Sequence, residues 1–403
     1  MSMEEIFVAR QPIFDRTQEI YGYELLYRSG SENRANVADG DQATMQVIVN
    51  AFMEIGLNSL VGRSVAFINM TRNFLLEEHG LPFSEQRVVL EVLEDVYVDD
   101  RLVSALKRLA DSGYRIALDD YVFQTHLKPL LDVVDIVKVD VLTLGRDSVV
   151  RQVDKLRELP VKLLAEKVET QEDFEFYLQQ GFDFFQGYFF CKPNVVKGQR
   201  VPRSRLQILQ LLAALQNPEA SIAQLEPLIA QDATLNFKLL RWLNSSYFGF
   251  SQRIDSIQQA MVYVGWVNLR NWVAMLSLMS ISEKPHSLIT VAMVRAKMCE
   301  LLAKEAALSG SERFFLTGLL SVVDAILDLP LAEIVSQVPL ETSVKEALVS
   351  RKGALGEALR CAVAYEEGDW DGASFASLRA TSIERAYLDA IAWADQCNAI
   401  MTH

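Results

Sequence analysis

The chain has few of the residues that build disulfide frameworks and transition-metal sites, with four cysteines and four histidines among its 403 residues. The cysteines have no CxxC spacing, which indicates free thiols in a reducing compartment. There is no apolar run of the roughly 20 residues that a membrane-spanning helix needs, and no signal-type apolar run follows the acidic N-terminus. We therefore expect a cytoplasmic protein with no membrane insertion.

Positive charge is also scarce, because 39 lysines and arginines face 53 aspartates and glutamates, giving a net charge of −14. The basic residues are scattered, whereas a protein that binds duplex nucleic acid needs a basic face. No GxGxxG, P-loop or HExxH motif occurs. The lack of a basic face argues against duplex nucleic acid as a partner. An acidic protein can still bind a small phosphorylated ligand through metal ions.

The first half of the chain contains a regular alternation of short β-like runs with helical patterns. Several runs are continuously apolar, which is typical of strands buried on both faces. The β-like runs are residues 6–14, 20–27, 64–70, 87–93, 114–118, 136–141, 161–167 and 182–190. Helical periodicity covers residues 41–55, 101–110, 148–159 and 172–179. This alternation predicts a TIM-type α/β barrel over residues 1–195, opening with an adjacent pair of strands.

The second half changes character after a polar segment at residues 196–205, which we interpret as a linker. From residue 206 to residue 403 the β-like alternation is replaced by helical periodicity, which predicts an all-α domain. The helical segments are residues 206–215, 222–229, 235–243, 257–264, 269–278, 290–307, 313–327 and 382–394.

Polar residues recur in the first half where the predicted strands end. The carboxyl ends of parallel barrel strands meet at one rim, where barrel enzymes place their chemistry. A single residue of this kind usually makes a salt bridge or caps a helix, so the informative feature is the shared position on many strands. Carboxylate and amide oxygens suit Mg²⁺ or Mn²⁺ rather than zinc. The residues are Glu24, Asn69, Glu91, Asp119, Asp120, Lys138, Asp140, Glu166 and Gln186.

Seven short segments around these residues occur in the order of a known family. They are GYELLYR at 22–28, INM at 68–70, EVLE at 91–94, LDD at 118–120, KVD at 138–140, AEKVET at 165–170 and QGYF at 186–189. Together, over most of residues 6–195, they resemble the EAL domain of cyclic di-GMP phosphodiesterases.

The resemblance implies a site for two divalent cations, Mg²⁺ or Mn²⁺, with Asp119 bridging them. Two ions about 4 Å apart stabilise the attacking and leaving oxygens of phosphodiester hydrolysis. The residues implied to hold the first ion are Glu24, Asn69, Glu91 and Asp119, and those for the second are Asp119, Asp120 and Glu166.

The resemblance also implies a catalytic set of Lys138, Glu166 and Gln186, in which Lys138 and Gln186 position the attacking water. Arg28 is implied to contact a phosphate of cyclic di-GMP.

Two departures from the family pattern surround this site. The family carries a glycine-rich loop after the aspartate pair, whereas residues 121–126 read YVFQTH, and Lys167 stands where the family has glycine. Without glycines the loop loses backbone conformations with positive φ. Altered support around a metal site commonly costs about 10- to 100-fold in affinity or activity. Catalysis is therefore expected to be more sensitive to these changes than ligand binding.

The second half resembles the HDOD domain through IAQDATL at 229–235, LLRWLNSSYFG at 239–249, IDSIQQA at 254–260 and VGW at 264–266. HDOD domains are related to HD phosphohydrolases but lack their metal ligands. The sequence agrees, because after residue 200 only His286 and His403 occur and neither is followed by aspartate. The resemblance implies a domain that binds an unidentified signalling protein or relays a signal.

Three functions remain open at this stage. The chain could be a phosphodiesterase that linearises cyclic di-GMP, with the helical domain as regulator. It could be an inactive barrel that binds cyclic di-GMP as a receptor, or a scaffold for protein interactions. The complete ligand set favours the enzyme and the receptor over the scaffold, and between these two we favour the enzyme. The chain could also form a homodimer.

Overall fold

The structure is a computed structural model whose chain divides into an N-terminal and a C-terminal compact unit. The predicted linker at 196–205 and the helical segments predicted at 41–55 and 222–229 lie outside the described residues, as does nearly all of 206–215. The domain bounds at 195 and 206 therefore stay a prediction. The described residues are 6–29, 56–77, 81, 84–94, 96–122, 125–187, 211–212, 233–244, 252–279, 285–338 and 340–402.

Eight strands of the N-terminal unit close into a barrel in chain order, with β8 returning to β1. Each β-like run of the sequence coincides with one strand, which confirms the TIM-type barrel. The strands are β1 (Ile6–Asp15), β2 (Ile20–Ser29), β3 (Val65–Met70), β4 (Val88–Val92), β5 (Arg115–Leu118), β6 (Ile136–Asp140), β7 (Lys162–Glu166) and β8 (Phe184–Gln186).

The first strand runs against the others. A tight turn joins β1 to β2, in which the Asp15 carboxylate accepts a hydrogen bond from the Thr17 backbone N–H at 2.8 Å. Such a turn has room only for an antiparallel pair, and β1 is also antiparallel to β8, while β2 to β8 are parallel along the chain. The predicted adjacent strand pair is confirmed.

An apolar layer fills the inside of the barrel beneath the rim. It consists of Ile13, Phe67, Val89, Ala117, Ile136, Leu164 and Phe184. Side chains two positions apart on a strand lie on the same face, so the residues two positions beyond this layer also face inward. On the six parallel strands that contribute to it, these are Asn69, Glu91, Asp119, Lys138, Glu166 and Gln186. The sequence therefore places a polar layer directly on the apolar one.

Helices connect the parallel strands on the outside. Asp99 caps α3 by accepting from the Leu102 N–H at 2.9 Å, and Thr170 caps α6 by accepting from the Asp173 N–H at 3.1 Å. Both caps place a short polar side chain where the first turn has free N–H groups. The helices of this unit are α1 (Leu57–Val61), α2 (Arg72–Leu76), α3 (Asp100–Asp111), α4 (Val141–Leu144), α5 (Arg146–Leu156) and α6 (Gln171–Gln179).

All elements described in the C-terminal unit are helices, which confirms the all-α prediction for that part of the chain. One predicted helix, 313–327, is divided in two because Val322 leaves the helical conformation with φ −121° and ψ 13°. The helices are α7 (Ala233–Leu243), α8 (Ile257–Val264), α9 (Trp266–Met279), α10 (His286–Glu305), α11 (Ser311–Leu320), α12 (Val323–Leu327), α13 (Leu331–Gln337), α14 (Thr342–Ser350), α15 (Gly353–Glu367) and α16 (Ala380–Thr402).

The helical unit has its own core, centred on the long helix α10. Trp393 of α16 packs edge-to-face against Trp242 of α7 and Phe315 of α11, with ring centroids 6.3 and 5.8 Å apart. Cys299, Cys361 and Cys397 are buried free thiols, as the spacing of the cysteines indicates. Over the described residues, no helix combines the length and apolar character needed to cross a membrane.

Candidate active site at the carboxyl rim of the barrel

The ammonium group of Lys138 is the centre of the polar layer. Lys138 is fully buried, and its Nζ contacts carboxylates supplied by β2, β4, β7 and the residue after β5. The distances from Nζ are 2.7 Å to Asp119 Oδ1, 2.8 Å to Glu91 Oε1, 2.9 Å to Glu166 Oε1 and 3.3 Å to Glu24 Oε2. One ammonium cannot balance four carboxylates, so the layer has a strong tendency to take up protons or further cations.

The pKa values of these groups reflect that crowding. Burial raises the pKa of Glu91 well above its usual value, and the nearby Glu24 adds to the effect against the attraction of Lys138. Burial likewise raises the pKa of Glu166 to about 8 although Lys138 is adjacent. Burial alone would raise the pKa of Glu24, but Lys138 and a hydrogen bond from Gln186 outweigh burial and lower that pKa. Burial alone would lower the pKa of Lys138, but the surrounding carboxylates outweigh burial and raise that pKa well above its usual value.

Two side-chain amides turn their NH₂ groups toward Glu24. Gln186 Nε2 donates to Glu24 Oε2 at 2.7 Å and to Gln11 Oε1 at 2.9 Å, and Asn69 Nδ2 donates to Glu24 Oε1 at 3.4 Å. Gln11 was not predicted as a site residue. It lies on β1 directly opposite Glu24 in the strand register, so strand pairing rather than any motif brings it to the rim.

Buried oxygens without hydrogen-bond partners test whether the site fits divalent cations. Among the described residues, Asn69 Oδ1, Glu91 Oε2 and Glu166 Oε2 are buried and have no such partner. An unsatisfied buried oxygen is costly, and oxygen-only donors are those that Mg²⁺ and Mn²⁺ prefer. No three His, Cys, Asp or Glu side chains in the described ranges already surround one point as a metal cage. Lys138 stands between the carboxylates instead, and the donor set fits the ions.

The aspartate pair after β5 is held by its neighbour Tyr121. Tyr121 is fully buried, and its backbone N–H donates to the Lys138 carbonyl at 2.9 Å. Its own carbonyl accepts a hydrogen bond from Gln152 of α5. Asp120, between Asp119 and this anchor, has a positive φ of 41°, a conformation that is uncommon outside glycine. Burial and the adjacent Asp119 raise the pKa of Asp120.

Lys167 adds a second cation beside the rim. Its Nζ lies 2.5 Å from Asp140 Oδ2, and its backbone φ of 58° is in the left-handed region that a glycine would adopt freely. Asp140 in turn caps α4 by accepting from the Thr143 N–H at 2.8 Å. The ion pair between Lys167 and Asp140 therefore links the end of β6 to the residue that follows β7. The end of β6 lies two residues after Lys138.

Comparison with known proteins identifies both halves of the chain. The EAL domain model matches residues 42–193 and the HDOD domain model matches residues 201–359. The cyclic di-GMP phosphodiesterase CdgJ of Vibrio cholerae is 37% identical over 376 residues, covering 92% of this chain and 87% of CdgJ. The chain belongs to the EAL–HDOD family. The uncharacterized protein YuxH of Bacillus subtilis is 34% identical over 409 residues, covering 98% of this chain and 99% of YuxH.

The chain also resembles a solved EAL structure. The standalone EAL protein of Vibrio cholerae O395, in its c-di-GMP-bound form, is 26% identical with a TM-score of 0.40 and covers 48% of this chain and 93% of that one.

The EAL domain in this chain extends beyond the matched range, because β1 and β2 with Glu24 precede residue 42 and complete the barrel. Arg28 lies on β2, but its side chain is outside those described, so its contact with a phosphate stays a prediction. Of the altered loop at residues 121–126, Phe123 and Gln124 are outside the described residues.

In the described part of the HDOD domain, His286 begins α10 and is followed by serine. Asn244, which closes α7, donates through Nδ2 to the carbonyls of Leu240 and Ile254 and accepts from the Ile254 N–H at 2.8 Å. This residue therefore terminates a helix and fixes the following chain, which is a structural role.

Proposed function

We propose that the chain hydrolyses cyclic di-GMP to a linear dinucleotide with Mg²⁺ or Mn²⁺ held at the carboxyl rim. The observation that carries the proposal is the buried layer in which four carboxylates surround Lys138 and further oxygens lack partners. The relative CdgJ is a cyclic di-GMP phosphodiesterase, which supports the choice of substrate.

Asp119 is the residue on which both cation positions depend in this proposal, since it would bridge them. When bound, the two cations would neutralise charge on the attacking and leaving oxygens of the phosphodiester. The residues that would hold them are Glu24, Asn69, Glu91 and Asp119 for one, and Asp119, Asp120 and Glu166 for the other.

The remaining residues orient the reactants. Arg28 would contact a phosphate of the dinucleotide, as a guanidinium does with two parallel N–H donors. Lys138 and the Gln186 amide would position the attacking water. Glu166 Oε1, 2.9 Å from Lys138 Nζ, would keep the ammonium in place. Water then forms a bond to phosphorus as the bond to one ribose oxygen breaks, which opens the ring.

The test incubates the full chain with cyclic di-GMP and Mg²⁺ or Mn²⁺, with product analysis beside a binding isotherm. We expect a linear dinucleotide, no product from Asp119→Asn, and wild-type turnover from the control Asp147→Asn on an exposed position of α5. Binding without product would support the receptor instead. If the chain neither binds nor hydrolyses cyclic di-GMP, the result would support a scaffold for protein interactions.

We propose that the HDOD domain binds a signalling protein that regulates the barrel, and that the chain forms a homodimer. Its lack of a His-Asp pair supports a binding rather than a catalytic role. Sedimentation of the purified chain with and without cyclic di-GMP measures the oligomeric state, and a monomer under both conditions would contradict the dimer.

A further inference from the structure

The helical unit contains a small cavity between α9, α10, α11 and α16. It encloses about 50 Å³, which is more room than a single water molecule needs. Three aromatic side chains line it, Trp272, Phe315 and Trp393, together with two residues of opposite charge, Lys297 and Glu312. Aromatic walls with a few converging polar groups are typical of small-ligand sites. The size of this cavity restricts the ligand to one of a few heavy atoms.

Lys297 of α10 is the cation that borders the cavity. Its Nζ lies 2.9 Å from Glu300 Oε2 and 5.5 Å from the centre of the Trp393 ring. The other carboxylate oxygen of Glu300 pairs with Lys304. Two ammonium groups therefore share one carboxylate. Lys297 also retains N–H groups that donate to no described residue, since an ammonium has three donors. This side of the cavity can accept the carboxylate of a ligand.

Glu312 of α11 is an anion that borders the same cavity. Within the ranges that the structure describes, its carboxylate forms no ion pair and accepts no hydrogen bond. Lys297 and Glu312 thus share a cavity without coming within ion-pair distance of each other. Burial lowers the pKa of Arg270 while Glu341 and Glu312 oppose that shift, but Arg270 forms no ion pair with Glu312 either. The Glu312 carboxylate is therefore available to a donor from a ligand.

A buried amide oxygen lies at the Glu312 side of the cavity. Asn271 of α9 is 4% exposed, and its Nδ2 donates to the Glu312 backbone carbonyl at 3.0 Å. Asn271 Oδ1 accepts no hydrogen bond from the described residues, and Asn271 lines the cavity. Buried amide oxygens in proteins normally have a donor. A ligand with several N–H groups could donate to this oxygen and to the Glu312 carboxylate together.

We propose that this cavity of the HDOD domain binds a small zwitterion, namely the ammonium and carboxylate groups of an α-amino acid. Glu312 and Asn271 would accept hydrogen bonds from the ammonium, and Lys297 would donate to the carboxylate. Hydrogen bonds between charged groups are the strong ones in proteins. A ligand that carries both charges satisfies Lys297 and Glu312 at once, whereas an ion of one sign satisfies only one of them. The aromatic rings would pack against the apolar atoms of the ligand.

Isothermal titration calorimetry of the full chain with glycine tests the site, because glycine consists of the two groups that all α-amino acids share. A chelator in the buffer prevents divalent cations from binding glycine. We expect one glycine per chain and a dissociation constant that rises about 10- to 100-fold in Glu312→Gln, the range for losing a charge-assisted hydrogen bond. Glu357→Gln, which removes an exposed carboxylate of α15, is the matched control and should bind like the wild type.

Two half-ligands separate recognition of both charges from recognition of one. Methylammonium retains the cation and acetate the anion of glycine, and each should bind at least about 10-fold more weakly than glycine. Lys297→Gln should weaken glycine but not methylammonium, and it provides a second variant if Glu312→Gln does not fold. The inference is overturned if the wild type shows no saturable glycine binding, if neither variant weakens that binding, or if either half-ligand binds as tightly as glycine.

Discussion

At the scale of single residues, Lys138 is the side chain on which the metal-free site depends most. It is the cation nearest to four buried carboxylates. Removing one partner of a buried ion pair leaves charge uncompensated and costs about 3–5 kcal/mol. We expect Lys138→Met to lower the free energy of unfolding by that amount in chelator and to abolish hydrolysis.

Urea unfolding and product analysis measure these two effects. Lys107→Met on the exposed side of α3 is the control, and it should change neither. A Lys138→Met protein as stable as the wild type would mean that the carboxylates do not depend on the ammonium.

Glu166 makes stability depend on pH. Its pKa of about 8 in the folded chain lies above the ordinary value of 4.5. Between these values the folded protein retains a proton that the unfolded chain has released, so the free energy of unfolding falls as pH rises through that window. Divalent cations need the deprotonated carboxylate, and their stabilising effect should grow over the same range.

Thermal unfolding from pH 5 to pH 8, with chelator and with Mg²⁺, checks this dependence. Glu166→Gln keeps the shape without the titration and should reduce the slope of the chelator curve, to which Glu91 also contributes. The exposed Glu158→Gln should follow the wild type. An unchanged slope in Glu166→Gln would assign the pH dependence to other groups.

At the scale of elements, the connection after β8 has a residue for which only glycine fits. Gly187 has a φ of 144°, and a Cβ there would lie 2.1 Å from the Val168 carbonyl oxygen. The close approach of the Gly187 and Val168 backbones lets the Val168 N–H donate to the Gln186 carbonyl at 2.9 Å. A shift of Gly187 would therefore displace Gln186 from Glu24. We expect Gly187→Ala to reduce turnover more than substrate affinity.

Gly181→Ala is the matched control for that substitution. Gly181 also has a positive φ, of 94°, but a Cβ there meets nothing within 4 Å. It should cost stability through backbone strain of about 1–2 kcal/mol and leave the ratio of kcat to KM unchanged. Equal loss of turnover in both variants would show that strain, not displacement of Gln186, is the cause.

The sequence predicts the elements of the barrel well because its strands are buried on both faces and so appear as continuous apolar runs. It predicts the rim residues because parallel strands bring their ends to one side. Gln11 cannot be predicted in this way, since β1 runs in the opposite direction and only its pairing with β2 brings Gln11 opposite Glu24. The role of Tyr121 cannot be predicted either, because its position depends on hydrogen bonds with Lys138 and Gln152.

The helical half is less predictable for a related reason. Helices α13, α14 and α15 have no predicted counterpart in the sequence. The first two are short, and α15 contains Gly353 and Gly356, which lower helix propensity. Packing in the unit stabilises these segments, and their local sequence alone does not specify them.

At the scale of the whole molecule, each of the two compact units has its own buried core. Multidomain proteins commonly unfold in more than one step, and a cation that binds only the folded barrel stabilises the barrel. We therefore expect two thermal transitions in the full chain, of which Mg²⁺ raises one. Leu164 of β7 and Leu302 of α10 are both fully buried, so each leucine tests the unit that contains it.

Leu164→Ala and Leu302→Ala form a matched pair for calorimetry, because each removes the same atoms from a packed core at a cost of about 2–5 kcal/mol. Leu164→Ala should lower the transition that Mg²⁺ raises, since Leu164 lies in the apolar layer directly below Glu166. Leu302→Ala should lower the other transition and leave the Mg²⁺ response intact. A single transition that both substitutions lower equally would instead mean that the barrel and the helical unit unfold as one cooperative body.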